Sequence, residues 1–116
     1  MHITFDKARE LLRAAVELKG ADYVYQKRED GTCLYVHQEG DGSLTPGCIV
    51  GTALHLGGLS LEAMHAENYG QIGFLLESDW CGLTADPDAK MLLRVVQAHQ
   101  DNGFTWGEAV RRALDS

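Results

Sequence analysis

The most strongly punctuated stretch of the chain is its last third. Asp86-Pro87-Asp88 combines a helix-capping side chain, a proline suited to the first helical position and a carboxylate that complements the helix dipole. Beyond it, Ala89, Leu92, Leu93, Val96 and Gln100 fall along one side of a helix, with Met91 and Val95 beside them. Asn102-Gly103 stops that helix. Thr105-Trp106-Gly107-Glu108 has the form of a capping box for a second helix, whose apolar face is Trp106, Ala109, Val110, Ala113 and Leu114. Two helices joined so closely predict an αα corner. In that corner the Trp106 indole points inward with Val110 and Leu114 and seals Leu92 and Val96.

The beginning of the chain follows the same rules. Thr4 can cap a helix over Phe5–Lys19, Asp6 suits its first turn and Gly20 its end. Phe5, Ala8, Leu12, Ala15 and Val16 repeat at helical spacing, with Leu11 widening the stripe. Residues 22–37 predict a β-hairpin. Tyr23-Val24-Tyr25 and Thr32-Cys33-Leu34-Tyr35-Val36 favour strands, and Asp30-Gly31 suits a type I′ turn. That register puts Tyr23, Tyr25, Leu34 and Val36 on one face, the better core candidate. Val24, Cys33, Tyr35 and His37 share the other.

Residues 38–44 are polar and glycine-rich, and predict a loop. Thr45 and Pro46 then predict the cap and first position of a helix. Its buried stripe is Ile49, Val50, Ala53 and Leu54, and it ends at Gly57-Gly58. Gly51 within it costs up to about 1 kcal/mol against alanine and implies a close backbone contact. Ser60 suits the cap of a short helix to Ala66 that buries Leu61 and Met64. Residues 68–84 predict no long strand, with Trp80-Cys81-Gly82-Leu83 a loop packed on the core.

These elements define the expected fold class: α+β, a β-hairpin against a layer of four to five helices. The length of 116 residues, 45% hydrophobic, suits a single globular domain over 1–116. Ten Lys and Arg against 17 Asp and Glu leave a formal net charge of −7, which disfavours DNA and anionic membranes as partners. No stretch approaches the roughly 20 apolar residues of a spanning helix, and Met1-His2-Ile3-Thr4 does not begin a signal peptide. The expected location is the cytoplasm. Cys33, Cys48 and Cys81 are odd in number and lack C-x-x-C spacing, which fits reduced thiols.

Among chemical candidates, Cys48 stands first. At the third position of its helix the dipole favours the thiolate, and His37 at the end of a strand offers a base. This is the layout of a papain-like hydrolase. His55 lies seven residues along the same helix, roughly 10.5 Å away. The opposing expectation is a packed core thiol with neither His37 nor His99 at hydrogen-bond distance. Cys33, His37, Cys48, His55 and Cys81 lack structural-zinc spacing, so no metal is expected. No phosphate-loop or dinucleotide motif is present, and no cofactor is expected. Arg111 and Arg112 on the last helix give a crude helix-turn-helix, but Glu108 carries the wrong sign for phosphates.

Two strings are distinctive together. The first is Pro46-Gly47-Cys48-Ile49-Val50-Gly51, continuing through Ala53-Leu54 to Gly57-Gly58. The second is Gln97-x-x-Gln100-Asp101-x-Gly103-x-x-Trp106-x-x-Ala109-Val110. The pair resembles small orphan accessory proteins encoded by phages of actinobacteria, especially mycobacteriophages, over about residues 33–110. Some small products of such phages block host processes or competing phages. The resemblance carries no catalytic or ligand residues. It implies a phage-encoded accessory protein and leaves the mechanism open. The expected function, on the whole sequence, is a non-enzymatic protein that binds a protein partner, host or phage, with a homo-oligomer as a further expectation. The alternatives are a DNA-binding regulator using the last two helices and a cysteine hydrolase using Cys48.

Overall fold

A computed structural model describes residues 2–25, 36–66 and 84–115. Among these residues the chain forms an α+β fold of five helices and two small two-stranded sheets. The order is β1 (His2–Ile3), α1 (Phe5–Lys19), β2 (Val36–Gln38), β3 (Leu44–Pro46), α2 (Ile49–Leu56), α3 (Leu61–Ala66), β4 (Thr84–Ala85), α4 (Pro87–Asp101) and α5 (Trp106–Asp115).

Helix α1 starts where its cap predicts. The Thr4 hydroxyl accepts from Lys7 N–H at 3.1 Å, and Gly20 closes the helix at φ 95°, a conformation that glycine adopts without strain. Ala8, Leu11, Leu12 and Ala15 are buried, and the helix packs against α2, α4 and α5. It is the element on which the others assemble.

The hairpin seen among the described residues is not centred on Asp30-Gly31. It joins β2 to β3, antiparallel, with Val36 opposite Pro46, His37 opposite Thr45 and Gln38 opposite Leu44. The stretch expected to be a loop is therefore the turn of this hairpin. Asp41 organises it by accepting from the Ser43 amide at 3.0 Å and the Ser43 hydroxyl at 2.6 Å, and Gly42 sits at φ 88°. Residues 23–25 belong to neither sheet, although Tyr25 and Val36 are buried and Val24 is exposed, as expected. The centre of the expected 22–37 hairpin, with Leu34, lies outside the described residues. So do Cys33, Cys81 and most of 68–84.

A second correction follows from β3. Thr45 and Pro46 do not open a helix. The Thr45 hydroxyl donates to the Glu39 carboxylate at 2.9 Å, and Pro46 ends a two-stranded sheet, a position that tolerates its missing N–H. Helix α2 starts three residues later, with Cys48 at the cap instead of the third position.

The sheet formed by β1 and β4 had no counterpart in the sequence reading. It is parallel, pairing His2 with Thr84 and Ile3 with Ala85. The Ile3 carbonyl also accepts from Asp86 N–H at 2.9 Å, and Ile3 is fully buried. The expected αα corner does form, with Gly103 at φ 91° between α4 and α5. Trp106, Val110, Leu92 and Val96 lie in one buried cluster, with Leu114 half-buried at its edge.

Candidate functional site

The start of α2 is where the chemically equipped residues gather. Cys48 is fully buried, and its Sγ accepts from Gly51 N–H at 3.4 Å. The sulfur thus does the work of a capping oxygen for the first turn. Ile49 N–H, another donor without an intrahelical partner, is satisfied from far along the chain: it donates to Gln100 Oε1 at 2.8 Å. Gln100 Nε2 in turn donates to Asp101 Oδ1 at 3.0 Å, and Gln97 Nε2 donates to the same oxygen at 3.3 Å. Thr52, also buried, donates its hydroxyl to the Gly47 carbonyl at 3.4 Å.

The two strings that stand out in the sequence therefore meet in space. Gln100 on α4 caps α2 across 51 positions. Its place on the apolar side of α4 was legible, but nothing local distinguishes a buried capping amide from a polar residue at the edge of a stripe.

The histidines are held elsewhere. His37 Nε2 lies 2.7 Å from the Tyr25 hydroxyl, with the two rings 5.6 Å apart. His99 meets Phe104 edge-on at 5.6 Å. The His55 Nδ1 lies 3.3 Å from the Leu59 carbonyl. Among the described residues, no group of three or more His, Cys, Asp or Glu side chains is arranged to hold a metal ion.

An unforeseen cluster joins the chain start to α4. His2 Nε2 lies 2.9 Å from Asp86 Oδ1, and His2 Nδ1 lies 2.7 Å from the Thr84 hydroxyl. Asp86 sits at the cap of α4 as expected, but its carboxylate holds His2 and makes no cap hydrogen bond. The 82 positions between His2 and Thr84 left no local trace of this contact.

On α5 the capping box is half formed. The Thr105 hydroxyl accepts from Glu108 N–H at 3.2 Å. The Glu108 carboxylate turns outward to Arg111 and Arg112. Its bond to Arg111 above all holds it far below its ordinary pKa of 4.5, at about 2. The first two N–H groups of α5 are taken by Tyr23 O at 2.8 Å and Ala21 O at 3.0 Å. The basic pair is thus tied to Glu108 on an exposed surface, while Trp106 is turned into the core.

Between α1 and α5 a solvent-open groove of about 290 Å³ is lined by Val16, Val110 and Leu114, with Arg13, Arg111 and Asp115 on its rim. No helix among the described residues is long and apolar enough to cross a membrane. Searches of protein-family models, curated proteins and solved structures returned no match to the chain.

Proposed function

We propose that the chain is a non-enzymatic, phage-encoded accessory protein of the bacterial host cytoplasm that acts by binding another protein, foremost a host factor with a basic surface patch. The observation that carries this reading is where the fold places its polar chemistry. Cys48 and Gln100 are buried and serve the start of α2, and buried Gln97 is turned to Asp101, whereas Asp6, Glu10, Glu17, Glu62 and Asp88 stand exposed on a chain of net charge −7. Such a surface steers a basic partner and rejects acidic ones. The phage context comes from the resemblance of the two strings to actinobacteriophage accessory proteins.

Affinity capture from an actinobacterial host lysate tests the reading, with the wild-type chain compared with a Glu10→Lys/Glu17→Lys variant. The expected result is a host protein retained by the wild type, released by added salt and lost by the variant. Two results would overturn it. One is a mobility shift of DNA that weakens steeply with salt, the mark of a nucleic-acid binder. The other is fast alkylation of Cys48 near neutral pH in the folded protein, the mark of an activated thiol.

A further inference from the structure

We draw no further inference here: the strongest candidate, the solvent-open groove between α1 and α5 over Val16, Val110 and Leu114, is a narrow apolar strip whose α5 bank carries both Arg111 and Asp115, and nothing in the structure shows what covers it.

Discussion

Trp106 carries a large share of the core and an unmet need. It is fully buried, meets Tyr23 edge-to-face at 4.7 Å, and its Nε1–H has no hydrogen-bond partner among the described residues. Its value is therefore in ring volume. Trp106→Ala should cost about 3–5 kcal/mol, enough to threaten a domain of this size. Trp106→Phe keeps most of the packing and removes an unsatisfied donor whose burial costs about 1–3 kcal/mol, so it should cost clearly less. Urea unfolding of both variants checks the order, and equal losses would mean that the indole nitrogen has a task of its own. Glu108 gives a second test. Its carboxyl is held at about 2 by Arg111, with Arg112 adding to the effect, against an ordinary 4.5. A lowered folded-state pKa contributes stability above the unfolded value, and that contribution fades as protonation sets in. The melting temperature of Glu108→Gln should lie modestly below that of the wild type at neutral pH, and the gap should close as pH falls from 4.5 towards 2.

Helix α5 shows an element fitted to its neighbour at backbone distance. A Cβ added at Gly107 would stand 2.9 Å from both the Ala21 Cβ and the Ala21 carbonyl oxygen. Helix propensity alone favours Gly107→Ala by about 1 kcal/mol. The clash with backbone should reverse the sign and leave a net loss of about 1–3 kcal/mol, read as a lower urea midpoint at unchanged slope. The same contact shows what the sequence can and cannot carry. Thr4, Gly20, Gly103 and Thr105 mark helix ends through bonds that span a few residues, Pro87 does so through its fixed φ, and the structure places those ends there. Pro46 misled because its fixed φ and absent donor suit a helix start and the end of a small sheet equally well. Gln100 capping Ile49, and Ala21 meeting Gly107, depend on how distant elements dock, and no short-range pattern encodes docking. Around Cys48 the thiol and its helix were legible, whereas the capping amide beneath them was not.

Across the whole molecule, α1 is enclosed by α2 and by elements far along the chain. Strand β1 pairs with β4, α4 packs on α1, and the first N–H groups of α5 are satisfied by the carbonyls of Ala21 and Tyr23. Ile3 is the residue that fastens the beginning of the chain, being 1% exposed and bonded through its carbonyl to Asp86. Ile3→Ala should therefore cost about 2–5 kcal/mol despite its place near the end of the chain, and thermal unfolding would show it. A loss under 1 kcal/mol, as fraying ends give, would mean that β1 is only loosely attached. The parallel β1–β4 pair has a bearing on synthesis. While the ribosome is still making the middle of the chain, the apolar stripe of α1 has only α2 to cover it, because the strand that secures its start and the two other helices packed on it have yet to be translated. The contacts of α1 with α4 and α5, and of β1 with β4, can then form only late, a non-local assembly of the kind that slows folding. Arrested nascent chains ending before Trp106 should accordingly be digested by protease, and full-length released chains should resist it.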